Sequence, residues 1–287
     1  MKVVIRWGWG VVLACIGACA AIAQPLSTVT PAAPGPSSAI PVQDFFRLPD
    51  VFRPTLSPDG NHLAFLARAG ARLGLAVIDI ERRTSQMAAA LPDADIVEFH
   101  WVNSQRLAFV SGNVYDPVGT ASPWRTGGLF AVDRDGSNPR RLALPFGDGG
   151  ALIVRPRFTR VMATLSDGSD DIIVAANERD FDSSDVYRLN TRTARKTLLS
   201  YDNPGDVQLW ALDREGQPRA AFSSKGTVSR VFYRRDGKSA WSKWWEGDFR
   251  EPATWAHSVG YDGGIIGFGL RDRTPATLAG SRLTSAM

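Results

Sequence analysis

The chain has 287 residues, of which 44% are hydrophobic and 22% are charged, values typical of a globular protein. It carries 33 basic and 29 acidic side chains, and its arginines are scattered among aspartates without forming a stripe. This balance gives no electrostatic basis for binding nucleic acid. Both cysteines, Cys15 and Cys19, lie near the amino terminus. The rest of the chain therefore has no thiol for a disulfide framework, a thiolate nucleophile or a zinc–cysteine site.

Residues 1–23 have the pattern of a secretory signal peptide. Lys2 and Arg6 supply a positive start, an apolar run follows, and the small-x-small rule is met for cleavage after Ala23. The apolar run is shorter than the roughly 20 residues of a spanning helix, so no membrane span is expected in the mature chain. A retained anchor and lipidation at Cys19, within a loosely lipobox-like segment, are the alternatives. We predict export, to the periplasm.

Residues 24–41 are rich in Pro, Ala, Ser and Thr, which predicts a flexible tether. A repeated pattern then runs through residues 42–263. Its first unit contains the turn Ser57-Pro58-Asp59-Gly60, in which proline presets one backbone angle and glycine accepts a positive φ. Short runs with approximate period-two alternation follow this turn, which is typical of antiparallel strands.

The strand–turn–strand phrase recurs at intervals of roughly 55 residues, near the spacing of propeller blades. No helix-period pattern of useful length follows the leader. The sequence therefore predicts an all-β fold, a β-propeller of four-stranded antiparallel blades that is incomplete, with about four to five blades. Strands in the second to fourth units are predicted at 96–101, 106–110, 128–133, 140–144, 154–165, 172–176, 185–189, 196–199, 207–212, 218–222, 229–234 and 241–245.

The pattern fails after the start of a fifth blade at 253–261. Residues 264–287 show neither clean alternation nor a turn-bounded strand pair, and we predict an irregular tail there. Two explanations remain open for this tail. It is either an ordinary frayed end or the product of a chain cut short or shifted out of frame near Gly264.

Between residues 42 and 261 the chain resembles the amino-terminal propeller of the prolyl oligopeptidase family of serine peptidases. The phrases that carry the resemblance are FFRLPDVFRPTLSPDGNHLAFLA, LAVIDIERR, FHWVNSQRLAFV and DVYRLNTRTARKTLL. The first is the most specific, because a leading Phe, a Leu-Pro pair and Ser-Pro-Asp-Gly come in the family's order. The resemblance is strongest to the exported bacterial branch related to dipeptidyl and acylaminoacyl peptidases.

The resemblance implies a propeller that caps an α/β-hydrolase domain and admits only short, unfolded peptides. The catalytic Ser, Asp and His of that family lie in the hydrolase domain, after the propeller. No Gly-x-Ser-x-Gly pentapeptide, the strand-to-helix turn that holds such a serine, occurs in this sequence. We therefore expect the non-catalytic gating portion of such a peptidase, truncated before the hydrolase domain and inactive as a peptidase by itself.

No other catalytic, cofactor-binding or metal-binding residues are predicted. His62, His100 and His257 lack metal-ligand spacing. The acidic segments 167–171 and 180–185 lack the bidentate glutamate and fixed glycine of a calcium loop in register, and we interpret them as solvated turns.

A tryptophan cluster is the last candidate. Its members are Trp210, Trp241, Trp244, Trp245 and Trp255. Adjacent residues of a strand face opposite sides, so Trp244 and Trp245 do not form one flat platform, and packing between blades is favoured over sugar binding.

Two other functions compete with the gating interpretation. One is a free-standing TolB-like propeller that binds a protein partner in the cell envelope. The other is a sugar-binding propeller, which predicts saturable carbohydrate binding that is lost in Trp241→Ala or Trp244→Ala. A peptide or protein partner is thus possible under the gating and TolB-like interpretations, and the oligomeric state is left open.

Overall fold

The computed structural model describes residue 42 and residues 50–114, 127–144 and 157–248, with the backbone of three further strands within 254–283. The chain divides into two compact units, Met1–Leu48 and Pro49–Met287. Of the first unit only Val42 is described, so the predicted signal peptide, with its cleavage after Ala23, and the tether at 24–41 lie outside the described residues. In the described part, no helix has the length and apolar character needed to cross a membrane.

The described part of the second unit is built from nineteen β-strands in five antiparallel sheets, which we call blades 1 to 5. In each blade the strands pair in the order in which they occur along the chain. Blade 1 comprises β1 (Val51–Leu56), β2 (His62–Ala69), β3 (Arg72–Asp79) and β4 (Thr84–Ala89), and blade 2 comprises β5 (Asp95–Asn103), β6 (Arg106–Gly112), β7 (Leu129–Asp133) and β8 (Arg140–Ala143). Blade 3 comprises β9 (Thr159–Thr164), β10 (Asp171–Asp180), β11 (Ser183–Asn190) and β12 (Lys196–Leu198). Blade 4 comprises β13 (Val207–Leu212), β14 (Pro218–Lys225), β15 (Val228–Tyr233) and β16 (Ser242–Asp248), and blade 5 comprises β17 (Thr254–Val259), β18 (Ile265–Leu270) and β19 (Leu278–Leu283).

The predicted all-β blade architecture is confirmed. Four sheets have four strands and the fifth has three, which agrees with the expected four to five blades. Strand β13 has the predicted bounds, and most others differ by one to four residues at an end. The first part of the strand predicted at 154–165 lies outside the described residues.

The structure differs from the irregular tail that the sequence predicts for residues 264–287. Strand β18 pairs with β17 on one side and with β19 on the other, so these residues complete a three-stranded blade. The side-chain pattern conceals this pairing because Gly267 and Gly269 interrupt the apolar alternation of β18. Ladder hydrogen bonds come from the backbone, which glycine supplies as well as any residue, although glycine weakens the strand preference.

The predicted turn at the start of blade 1 forms as its chemistry requires. The amide of Gly60 donates to the carbonyl of Ser57 at 2.9 Å, and Gly60 has a φ of 73°. The Ser57 hydroxyl donates to Asp59 at 2.5 Å, and the Asn61 amide donates to the same carboxylate at 3.1 Å. These local bonds close the turn that joins β1 to β2 in one hairpin.

Apolar clusters fill the three spaces between blades 1, 2, 3 and 4. A sheet buried on both faces cannot satisfy its apolar side chains alone, so each blade depends on its neighbours. The space between blades 1 and 2 holds Leu66, Leu75, Val77, Ile96, Phe99, Trp101, Leu107 and Phe109, among others. The next holds Val102, Leu129, Leu142, Ile172, Val174, Tyr187 and Leu189, and the third holds Leu165, Ile173, Val186, Val207, Trp210 and Ala221.

A buried arginine joins blade 2 to blade 3. The side chain of Arg106 is 1% exposed, and its Nη1 lies 2.7 Å from Asp133 Oδ1 at the end of β7. Its Nε and Nη2 donate to the hydroxyl and the carbonyl of Thr191 in blade 3, at 2.9 and 2.8 Å. One guanidinium thus bonds to residues of two blades. Its ion pair and hydrogen bonds offset the free-energy cost of removing its charge from water.

A second polar network ties the connection between blades 3 and 4 to blade 3. Asp185 of β11 accepts hydrogen bonds from Arg179, Ser200 and Asn203 and is 1% exposed. Burial acts to raise the pKa of Asp185, but the bonds from Arg179, Asn203 and Ser200 outweigh it and hold the pKa below its ordinary value of 3.8. The ionised carboxylate is therefore the form on which this junction is built.

Replacement of Arg106 tests the first of these junctions. Arg106→Met keeps much of the stem but leaves Asp133 and Thr191 without their buried donor, and we expect it to lower the free energy of unfolding by about 3 kcal/mol. Urea denaturation measures this value. Arg195→Met, a change at an exposed arginine of blade 3, is the control and should cost less than about 0.5 kcal/mol. Equal effects of the two changes would contradict the proposed role of Arg106.

The Asp185 network predicts a pH-dependent loss of stability. Because the pKa of Asp185 is lower in the folded chain, its contribution is complete above the unfolded value and is lost as the pH falls through the folded value. Asp185→Asn should therefore be about 2 kcal/mol less stable than the unaltered chain at pH 7, and the gap should narrow below about pH 4. Urea unfolding at several pH values checks this. Asp93→Asn, at an exposed position, should show no such convergence.

Candidate functional site

The first strands of blades 1, 2 and 3 form the setting of the candidate site. Strands β1, β5 and β9 are edge strands, because each pairs with only one neighbour within its described sheet. Strands β5 and β9 also approach each other across the boundary between two blades. Charged side chains on these three strands influence the carboxylate of Glu98, and we call Arg53, Glu98, His100 and Arg160 the inner-strand cluster.

Glu98 and His100 form the centre of the inner-strand cluster. They are two residues apart in β5 and therefore share a face of the strand, with His100 Nε2 lying 2.8 Å from Glu98 Oε1. The side chain of His100 is 35% exposed and that of Glu98 is 43% exposed, so solvent reaches the pair. The hydrogen bond with His100 is the main cause that holds the pKa of Glu98 below its ordinary value, against the opposing effect of burial.

Arg53 and Arg160 bring positive charge to this pair from the two adjacent blades. The charges of His100, Arg53 and Arg160 each lower the pKa of Glu98 further. Arg53 has a φ of 50°, a left-handed conformation that is uncommon for a residue other than glycine. It lies where the β1–β2 register shifts between Phe52 and Thr55, and such bulges commonly redirect a side chain at a functional edge.

The inner-strand cluster has the chemistry of a binding surface. Two permanent guanidinium charges stand against one carboxylate, so the cluster retains positive charge at neutral pH. Guanidinium groups bind carboxylates and carbonyl oxygens through directed N–H bonds. The free edges of the three strands add unpaired backbone groups, which an extended peptide can pair with.

The histidines show no arrangement for nucleophilic catalysis in the described part of the chain. His62 Nε2 lies 3.8 Å from Asp79 Oδ2, and its Nδ1 is buried without a hydrogen-bond partner. The nearby Ser57 hydroxyl donates to Asp59 and accepts from the His62 amide, so it serves the turn. His100 is engaged with Glu98, and the side chain of His257 lies outside the described residues.

Arginines neutralise the acidic turn that the sequence places at 167–171. Arg188 lies 2.5 Å from Asp171 and 3.1 Å from Asp167, and Arg192 lies 2.7 Å from Asp170. A carboxylate paired in this way is a poor ligand for a hard cation. Among the described residues, no group of three or more His, Cys, Asp or Glu side chains is placed to hold a metal ion.

The tryptophans pack between blades, as the sequence predicts for Trp210 and Trp241. Their ring centroids are 5.7 Å apart at an interplanar angle of 53°, and both rings contact the cluster between blades 3 and 4. The buried guanidinium of Arg234 lies 4.4 Å from the Trp241 ring centroid. Trp244 is 40% exposed and the adjacent Trp245 is half-buried. The side chain of Trp255 lies outside the described residues.

The sequence alone did not reveal the inner-strand cluster. The histidine spacing gave no reason to pair His100 with Glu98, and nothing marks Arg53 or Arg160 among the many arginines of the chain. The signal that the sequence did contain was the position of these residues within the repeats. All four residues fall on the first strand of a repeat, and two of these first strands, β5 and β9, approach each other across a blade boundary.

Comparison with known proteins shows that this chain is similar to several solved structures. Dipeptidyl peptidase 4 of Porphyromonas gingivalis matches with a TM-score of 0.50 and 14% identity over 78% of this chain. The β-propeller domain of the Trilobed protease from Pyrococcus furiosus matches at 0.45 and 15% over 78%, and TolB from Acinetobacter baumannii at 0.40 and 13% over 77%. No protein-family model and no curated protein matches the sequence.

These likenesses show the fold, a β-propeller. Peptidases of the prolyl oligopeptidase family are among the structures that the chain resembles, in agreement with the resemblance in sequence. The chain spans 36%, 64% and 51% of the lengths of the three proteins named above, in that order. It is thus similar to a part of each of these longer proteins.

The charge pattern of the inner-strand cluster can be tested by titration. His100→Ala removes the main cause of the lowered pKa of Glu98, so that pKa should rise, and Arg53→Gln should raise it by less. Carbon-13 NMR of the glutamate carboxyl groups follows the change directly. Arg195→Gln, an exposed arginine on the β11–β12 turn, should leave the Glu98 titration unaltered. A larger effect from Arg53→Gln than from His100→Ala would contradict this assignment.

Proposed function

We propose that the chain is the non-catalytic propeller part of an exported, prolyl oligopeptidase-like serine peptidase, and that its inner strands admit and hold an extended peptide. The observation that carries the proposal is the inner-strand cluster. Three consecutive blades each contribute charged side chains from their first strand, and these side chains influence one carboxylate, that of Glu98. A function shared by the blades is a better reason for this convergence than the stability of any single blade.

The exposure of the inner-strand cluster supports a binding role. The ion pair of Arg106 with Asp133, by contrast, is buried at the junction of blades 2 and 3, where Arg106 also bonds to Thr191. Arg53 and Arg160 are exposed, and no ion pair of the described residues engages them. Exposed ion pairs contribute little to the stability of a fold. The charges of the inner-strand cluster are therefore better explained by ligand binding than by stabilisation of the blades.

An extended peptide suits this surface better than a folded domain. A peptide presents carbonyl oxygens along its length and a carboxylate at its end, both of which guanidinium groups bind. Its backbone can also pair with the free edge of β1, β5 or β9, a recognised mode of peptide binding. Export is part of the proposal and is supported by the signal-peptide pattern of residues 1–23.

Peptide binding by fluorescence anisotropy tests the proposal. We expect an unstructured acidic peptide with a free carboxyl terminus to bind saturably to the purified chain, and binding to weaken as salt increases. Changing Arg53 and Arg160 together to Gln should weaken it by about tenfold. No hydrolysis of the peptide is expected from the chain by itself.

A matched double variant provides the control. Arg82→Gln with Arg195→Gln removes the same charge from exposed positions outside the inner strands, and it should leave peptide affinity within about twofold. Equal losses in the two double variants would refute the inner-strand site. Binding only to a folded envelope protein would favour the TolB-like alternative, and hydrolysis blocked by a serine-directed inhibitor would refute the non-catalytic assignment.

A further inference from the structure

His100 is the member of the inner-strand cluster whose charge can change near neutral pH. The ionised carboxylate of Glu98 can only accept a hydrogen bond, so His100 Nε2, 2.8 Å away, carries the hydrogen that joins them. In the neutral ring, Nδ1 then has a lone pair. Because the ring is partly exposed, Nδ1 can take up a proton from water while the bond from Nε2 to Glu98 is kept.

The other three members of the cluster keep their charges over the range in which an imidazole titrates, about pH 5 to 8. Arg53 and Arg160 carry guanidinium groups, which stay protonated in proteins. The pKa of Glu98 is held below its ordinary value of 4.5, chiefly by the hydrogen bond with His100, so Glu98 stays ionised. A change in the charge of the cluster within this range therefore comes from His100.

The strands that pack against β5 leave this pair under the influence of few other charges. Strand β6 places the uncharged Ala108 and Val110 opposite His100 and Glu98 in the register. The first strands of the neighbouring blades contribute the charges of Arg53 and Arg160, which act on Glu98. The remaining charged residues of β3, β5 and β6 have partners of their own, and these residues are Arg72, Asp79, Asp95 and Arg106.

We propose that the inner-strand cluster binds acidic peptides more tightly as the pH falls, because His100 takes up a proton. This inference rests on the peptide binding proposed above and adds its regulation. With His100 neutral, two guanidinium charges oppose one carboxylate. Protonation adds a third positive charge. It also turns Nδ1 from an acceptor into an N–H donor, which can bond to a carboxylate or carbonyl oxygen of the peptide.

Coulomb's law gives the size of the expected effect. One added charge about 6 Å from a ligand carboxylate, at a site that water reaches, changes the affinity by about threefold. Removing the charge of Glu98 should act in the same direction, because that carboxylate repels an acidic ligand.

Fluorescence anisotropy with the full chain at pH 7.5 and pH 5.5, at low salt, tests the proposal. The probe is an unstructured, aspartate-rich peptide with a free carboxyl terminus, whose carboxyl groups titrate near pH 4 and stay ionised at both values. We expect binding to be about threefold tighter at pH 5.5. His100→Gln should bind the peptide about equally at the two pH values. His62→Gln, a change at the other histidine whose side chain is described, should retain the difference.

Glu98→Gln provides a variant that should gain affinity. At pH 7.5 it should bind the acidic peptide about threefold more tightly than the unaltered chain, an increase that a damaged fold cannot produce. Binding that is equal or weaker at pH 5.5, or a pH difference that persists in His100→Gln, would overturn this inference and leave the proposed peptide binding intact. Absence of saturable binding at both pH values would overturn the proposed function together with its regulation.

Discussion

Contact between neighbouring blades is the constraint on which the rest of this structure depends. Blades 2 and 3 have buried apolar side chains on both faces, and a four-stranded sheet cannot bury both faces by itself. Three clusters of apolar residues therefore join blades 1 to 4 in sequence. Dispersion and burial supply the attraction across these boundaries, but they do not by themselves fix the relative positions of two sheets.

Buried arginines give these boundaries a defined geometry. Arg106 holds Asp133 of its own blade and Thr191 of the next, and Arg234 holds Asp202 in the connection between blades 3 and 4 at 3.0 Å. A guanidinium donates in a fixed plane, so displacement of either blade would break several bonds together. The same arrangement of blades brings β5 of blade 2 close to β9 of blade 3 within the setting of the inner-strand cluster.

Much of this architecture follows from local sequence. The residues of the Ser57–Gly60 turn and of the β13 run favour turn and strand conformations locally. The interval between repeats then indicates which strands form one sheet. Blade 5 shows where such inference fails. In β18 the glycines remove the side-chain signal while backbone pairing persists, so a strand exists where no apolar period predicts one.

The candidate sites were harder to predict for a different reason. The residues of the inner-strand cluster come from three repeats, separated by more than a hundred positions between Arg53 and Arg160. Each is an ordinary charged residue of a strand when considered alone. The role of each residue in the cluster depends on which blades are neighbours and on which strand lies at the edge of its sheet. Both are properties of the assembled sheets.

The meander order of every blade also affects how the chain folds. Each strand pairs with the one that precedes or follows it, so each sheet can form from one continuous stretch of polypeptide. Low sequence separation within sheets favours rapid local pairing, while docking of one sheet on the next resembles growth along a one-dimensional array. A chain emerging from the ribosome can thus complete its first sheets before the last are synthesised, with each finished blade acting as a template for its successor.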